Sequence, residues 1–338
     1  MLLNPFRDLI PLTREHAVLL HIAIANGASH LANLQSMEVQ KASTTPTLSL
    51  ANTAASEEVA THMQPVQTLN NESTRFYQDA LIAKHKALKL LRRSLEHVNA
   101  GNRDVLLAAI HLFANFELIN TGKGDCILLH PRVHGILPMV KNKRKSSLPI
   151  MLSASYLCGV DPNSAAEEQT PPEEEALMLM RRAQAFDIHA WAQGVQGISS
   201  HDDFESRVHV ASAHKSAICL YIHRVVPSAH LLNAKAVEAL VDDTIHHLSC
   251  IDRGDSLIKG TAWPTFVAGA ESETSERRAW AAERLMMLWK LMLWGYLRTA
   301  LETLQVVWGV NDIEPETPGS AVGWLQKLKK LGIEWMVV

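Results

Sequence analysis

Along this chain apolar positions recur at intervals of three, four and seven residues, the spacing of one face of an α-helix; the two-residue alternation of a half-buried strand is scarce. "TREHAVLLHIAIANGASHLANL" (Thr13–Leu34) begins with Thr13, a residue suited to capping, and continues as apolar and small residues. Between Arg75 and Val98 the residues Tyr77, Leu81, Leu88, Leu91, Leu95 and Val98 share one helical face, which predicts an amphipathic helix. Asn102 and Asp104 precede "VLLAAIHLFANFELI", a cap followed by a helix. Phe204, Val208, Ala211, Ile218, Ile222 and Val225 predict another helix, stopped by Pro227, and "LLNAKAVEALVDDTIHHLSCI" follows it. Arg277–Trp308 and Val322–Leu331 read as the last helical pair. Roughly nine to eleven helices with no βαβ alternation predict an all-α fold, a multi-helix antiparallel array of helical hairpins with long polar insertions.

The segments between the helices refine that picture. Residues 1–338 read as a single domain, with 36–74, rich in Ser, Thr, Asn and Gln, as a flexible insertion. Residues 141–175 read as a basic and then acidic linker, "KNKRKSSLP" leading to "VDPNSAAEEQTPPEEE". Lys141, Lys143, Arg144 and Lys145 are four basic residues in five, outside a helical pattern, and form a candidate nuclear-import signal. A formal net charge of −3, with 47% hydrophobic and 20% charged residues, provides no bulk basic surface for a phosphate backbone. The four cysteines lie too far apart for a zinc site or a disulfide scaffold, which fits a reducing intracellular compartment. "MLLNPFRDLIPL" lacks the unbroken apolar core of a signal peptide. The most apolar run, Leu285–Leu297, is thirteen residues long and contains Lys290, so no membrane segment is expected.

Candidate chemistry is sparse. Asp242 with His246, and Asp243 with His247, stand at i,i+4 on one helix face, as metal ligands would, with His201–Asp203 as a conceivable further source. Two ligands are an incomplete set, the chain has 17 histidines, and such pairs also stabilise a helix surface, so no metal and no cofactor are expected. There is no G-x-S-x-G elbow, and "NTGKGD" lacks P-loop spacing, so an enzyme is not expected. Lys86, Lys89 and Arg93 read as a solvated helix face. Seven of the eight tryptophans lie between Trp263 and Trp335. Trp289 and Trp294 fall in a stretch apolar on every side, as in a central core helix; Trp289, Met292 and Trp294 are the candidate lining of an apolar ligand pocket.

Four stretches in order carry a family resemblance. They are "NPFRDLIPLTREHAVLLHIAIANGASHLANL"; "HKALKLLRRSL" with "DVLLAAIHLFANFELINTG"; "ASAHKSAICLYIHRVV", ending in Tyr-X-X-Arg; and "AWPTFVAGAESETSERRAW", followed by "VVWG" and Trp324. The chain resembles the fungal-specific transcription factor domain of acriflavine-sensitivity-type regulators, the regulatory region of Zn2Cys6 transcription factors. On that resemblance Trp263, Pro264, Phe266, Gly269, Arg278, Trp280 and Trp308 are signature residues of structural character. The residues themselves read as a helix-to-helix corner: Trp263-Pro264 opens a short helix ending near Gly269, Ser272, Thr274 or Ser275 caps the next, and Arg277 and Arg278 are ion-pair partners. The resemblance implies an all-helical transcriptional regulator or co-regulator in the nucleus, of a fungal secondary-metabolite gene cluster. The family's six-cysteine Zn2Cys6 DNA-binding domain is lacking in this sequence. Action is therefore expected through protein partners, the transcription machinery or a DNA-binding regulator, without direct nucleic-acid or membrane contact. The alternatives are a metabolite-sensing helical domain and an enzyme of unrecognised type.

Overall fold

The computed structural model describes residues 10–43, 71–96, 102–121, 172–194, 204–313 and 323–332. Among the described residues there is no strand. The helices are α1 (Ala17–Ser43), α2 (Asn71–Leu95), α3 (Arg103–Asn120), α4 (Pro172–Gln184), α5 (Ile188–Gly194), α6 (Phe204–Val225), α7 (Ala234–Ser249), α8 (Ala262–Ala270), α9 (Ser275–Met292), α10 (Tyr296–Ile313) and α11 (Trp324–Lys330). The all-α expectation is met. The chain divides into two compact units, residues 1–141 with 289–299, and 142–288 with 300–338.

In the first unit α1, α2 and α3 enclose a core of Val18, Leu19, Ile22, Leu91, Leu106, Ile110, Phe113 and Phe116, interleaved with alanines. The face of α2 marked by leucine spacing coincides with the buried one only in part, at Leu91 and at Leu95, which packs against the core. Leu81 and Leu88 are each 40% exposed, whereas Ala80, Ala83, Ala87 and Leu91 point inward. Small residues win because α1 offers Ala25, Ser29 and Ala32, all buried, and leucines between two such rows would hold the helix axes apart. The close approach is tied by hydroxyls: Ser73 Oγ donates to the Ala32 carbonyl at 3.1 Å and lies 2.9 Å from Ser36 Oγ. Buried Glu117 is matched by Lys84, 2.5 Å away, whose ammonium also sits 4.9 Å from the Phe116 ring.

Thr13 does not cap α1; it lies in a 3-10 turn, Pro11–Arg14, its hydroxyl donating to the Ile10 carbonyl at 2.7 Å. Helix α1 runs on to Ser43, into the stretch expected as an insertion, and residues 44–70 lie outside the described part. By length and composition Ala17–Glu38 of α1 suffices to cross a membrane, a property its small and polar residues conceal from a count of consecutive apolar positions. Its Val18, Leu19, Ile22 and Ala25 side belongs to the core, while Leu20, Ile24 and Leu31 on the other side are exposed.

The single helix expected over Arg277–Trp308 is broken. Leu293 takes a left-handed φ of 55°, and the Gly295 N–H donates to the Ile119 carbonyl at 2.8 Å. A β-carbon on Gly295 would stand 1.7 Å from the Asn120 carbonyl oxygen, so only glycine lets the chain meet the end of α3 here. Asn33 Nδ2 secures the junction by donating to the carbonyls of Ile119 and Leu293, both at 2.8 Å. Trp294 therefore lies in a break and not in a core helix; it is half-buried and meets Tyr296 edge-on, centroids 6.3 Å apart.

In the second unit α6 is the central element, packed by α4, α5, α7, α8 and α11. Its buried residues include Ser206, Ala211, Ser212, Ala213, Ser216 and Ala217, small enough for neighbours to approach from several sides. Helix α4 starts at Pro172, so Glu173–Glu175, expected to end a linker, form its first turn. Proline lacks only an N–H that a first turn leaves unused, and carboxylates suit the positive helix end.

Candidate functional site

The corner between α8 and α9 organises the second unit. A 3-10 turn, Ser256–Thr261, feeds directly into α8, all of whose residues are buried. Pro264 sits in the first turn of α8, where the missing N–H has no helical acceptor. Trp263 stacks on His214 at 5.8 Å and 18°, and Tyr221 meets it edge-on at 6.0 Å. Burial of His214 in this stack holds its imidazole below the ordinary value, against a 2.9 Å contact with the Gly260 carbonyl. At Gly269 an added β-carbon would lie 2.9 Å from both the Ala281 β-carbon and a Leu304 methyl, so this glycine sets how closely α8, α9 and α10 pass. Trp308 Nε1 donates to the Gly269 carbonyl at 2.8 Å.

Beyond the corner, Thr274 Oγ1 accepts from the Arg277 N–H at 3.4 Å and caps α9. Arg277 reaches Glu238 at 3.3 Å and Asp242 at 2.7 Å on α7. Arg278 grips both carboxylate oxygens of Asp312, at 2.8 and 2.9 Å, with its guanidinium 5.9 Å from the Trp308 ring. Trp280 donates to Ser249 Oγ at 3.2 Å and carries Arg284 over its ring at 5.7 Å. Burial, with Arg253 nearby, pushes Arg284 down to about 10.

At the centre is a pair that sequence reasoning left out of its site residues. Arg224, the last residue of the Tyr-X-X-Arg motif, donates from Nε and Nη2 to Glu271, each at 2.7 Å, and the Glu271 side chain is 0% exposed. Trp324 Nε1 donates to the same carboxylate at 2.8 Å, and its ring meets Phe266 edge-on at 5.7 Å. Gln326 Nε2 donates to the Arg224 carbonyl at 2.9 Å, and Gly323 lies so close that a β-carbon there would stand 2.9 Å from Arg224 Cδ. Three motifs far apart in sequence thus close on one buried carboxylate. The sequence carries a signal for it: Arg224 closes Tyr-X-X-Arg, Glu271 follows the Ala-Gly-Ala of the corner motif, and a late tryptophan, Trp324, comes after both.

The other expected residues fare differently. Asp242 and His246 do not converge, because Asp242 is held by Arg277. Asp243 and His247 do meet, Oδ1 to Nε2 at 3.5 Å, and His247 Nδ1 lies 2.9 Å from His209 Nδ1 on α6. Among the described residues no group of three or more His, Cys, Asp or Glu is arranged to hold a metal ion. Trp289 and Met292 are buried, with Arg298 lying 5.7 Å over the Trp289 ring. A groove of about 650 Å³ is lined by Glu174, Leu177, Met178, Arg181, Arg182 and Ala185, not by those tryptophans. Lys141, Lys143, Arg144 and Lys145 lie outside the described residues, as do His201–Asp203.

Fold and corner together define an all-α domain in which the motif residues hold helices against one another. The chain belongs to the fungal-specific transcription factor domain family, whose model matches residues 150–337. Among individual proteins it is similar to the acriflavine sensitivity control protein acr-2 of Neurospora crassa, 29% identical over 397 aligned residues. That alignment covers 96% of this chain and 62% of the relative, so the chain spans less than two thirds of the relative's length. No solved structure matches.

Proposed function

We propose that this chain is the regulatory region of a fungal transcriptional regulator or co-regulator, one that controls a secondary-metabolite gene cluster through protein partners. The observation that carries the reading is the family match over residues 150–337, the stretch that holds the Arg224–Glu271–Trp324 centre. A net charge of −3 gives these 338 residues no bulk basic surface, which supports contact through partners in preference to the phosphate backbone. The reading places the protein in the nucleus, with Lys141, Lys143, Arg144 and Lys145 as the import signal.

Deleting the gene and sequencing the transcripts tests this directly. The expected result is a coordinated change in the genes of one biosynthetic cluster; an unaltered transcript profile overturns it. Replacing the four basic residues by alanine in a fluorescent fusion should shift the protein from nucleus to cytoplasm. A fusion excluded from the nucleus before any substitution would refute the nuclear assignment.

A further inference from the structure

Helix α4 buries Ala176, Leu179, Met180 and Ala183 and packs on α6 and on the 3-10 turn Pro227–Ala229. Its other side stays open: Leu177 is 39% and Met178 50% exposed, and with Glu174, Arg181, Arg182 and Ala185 they line the groove of about 650 Å³. Charge on the helix is divided, with acids in the first turn and arginines in the last. Glu173 is engaged, accepting from Ser228 Oγ at 2.7 Å. Among the described residues no ion pair reaches Glu174, Glu175, Arg181 or Arg182. Glu174 and Arg181 share a flank of the open side but stand about 10.5 Å apart along the axis, and Glu175 and Arg182 do the same on the other flank, so acid and arginine do not meet within one helix.

We propose that this side of α4 is a self-contact, on which α4 of a second copy of the chain lies antiparallel about a two-fold axis at Met178. A symmetric contact must be complementary to itself, and the order of charges along α4 meets that condition. Laid antiparallel, the second copy brings its Arg181 to Glu174 on one flank and its Arg182 to Glu175 on the other. The two-fold axis makes each pair twice. Met178 meets its own symmetry mate at the centre, and Leu177 meets its mate on the Glu174 flank, so the two large exposed apolar side chains are covered together.

The charges select both the occupant and its direction. A partner helix of one sign satisfies one end of α4 and opposes the other. A parallel copy sets acid on acid and arginine on arginine, an arrangement that repels. The antiparallel copy alone satisfies both ends, and it also opposes the two helix dipoles. Helix α4 has 13 residues, about 20 Å of length, so the contact is small and rests largely on exposed charge. Association through it is therefore weak, reversible and sensitive to salt. A chain paired in this way presents its remaining surfaces twice, related by two-fold symmetry.

The test is sedimentation equilibrium of the purified full chain, from micromolar to submillimolar protein, at low and at high salt. A monomer–dimer equilibrium that weakens as salt rises is expected. Glu174→Lys with Glu175→Lys, and separately Arg181→Glu with Arg182→Glu, should each weaken self-association by about 10-fold or more, since each leaves a face of one sign. Mixing the two variants should restore association as a heterodimer, because acid then faces base at every position. Met178→Cys, on the axis, should raise the yield of disulfide-linked dimer under mild oxidation above that of the parent, a readout that needs no charge reversal. A parent that stays monomeric throughout overturns the proposal, as does an unchanged disulfide yield. So does a dimer that both reversals leave intact, which another face then holds, or a mixture of folded variants that fails to pair.

Discussion

Glu271 combines three demands on one side chain: it neutralises Arg224, accepts from Trp324, and does both without water, being 0% exposed. Removing one member of a buried pair leaves the other charge uncompensated, at a cost of about 3–5 kcal/mol. Glu271→Ala is expected to lower stability by that amount in urea unfolding. Replacing the pair together, Arg224→Met with Glu271→Leu, should recover part of the loss, because two apolar side chains leave no orphan charge. A double variant no better than Glu271→Ala would show that position, not charge balance, makes the centre stable. Gly269→Ala forces a methyl to 2.9 Å from Ala281 and Leu304, and overpacking of this kind costs about 1–3 kcal/mol. Its effect should appear as a lower melting temperature with the helical circular dichroism retained.

At the scale of the element, the turn between α9 and α10 is the sharpest case. Gly295→Ala places a carbon where the Asn120 carbonyl oxygen stands, so the variant must move backbone. It should accumulate as insoluble protein, or show earlier proteolytic cutting near Leu293 than the parent; soluble, protease-resistant Gly295→Ala would contradict the close approach. This turn also shows where sequence reasoning stops. Helices such as Phe204–Val225 were legible because their apolar spacing and the following Pro227 are local properties. The break at Leu293–Gly295 was not, since its cause is a carbonyl on α3. The buried face of α2 was legible only in part for a similar reason: leucine spacing finds Leu91 but also the exposed Leu81 and Leu88, while the fit to alanines and serines on α1 decides which side is buried. Of the candidate site, the corner and its arginines could be read from the motif. Their carboxylate partners Glu238, Asp242 and Asp312 could not, because two lie on α7 and one on α10.

For the whole molecule the histidines set a direction with pH. His30, His214, His223 and His247 each lie below the ordinary 6.5, in every case chiefly through burial. Between those lowered values and 6.5 the unfolded chain binds protons that the folded chain does not, so stability rises with pH. The contribution is complete above the unfolded value and is lost as pH falls through the folded ones. The melting temperature should therefore be higher at about pH 7.5 than at about pH 5.5, measured in one buffer series at constant ionic strength. Equal melting temperatures, or a higher one in acid, would contradict the burial of these imidazoles.

Trp324 reaches Glu271 across 53 positions of sequence. At a synthesis rate of about 5–20 residues per second, roughly 3–10 s separate the making of the acid from the making of the indole that completes its surroundings. During that interval Arg224 and Glu271 are already joined to the ribosome-bound chain, yet α11 does not exist to cover them. Until α11 has been made the buried pair lacks the indole that covers its carboxylate, so Trp324 is the group that completes the centre.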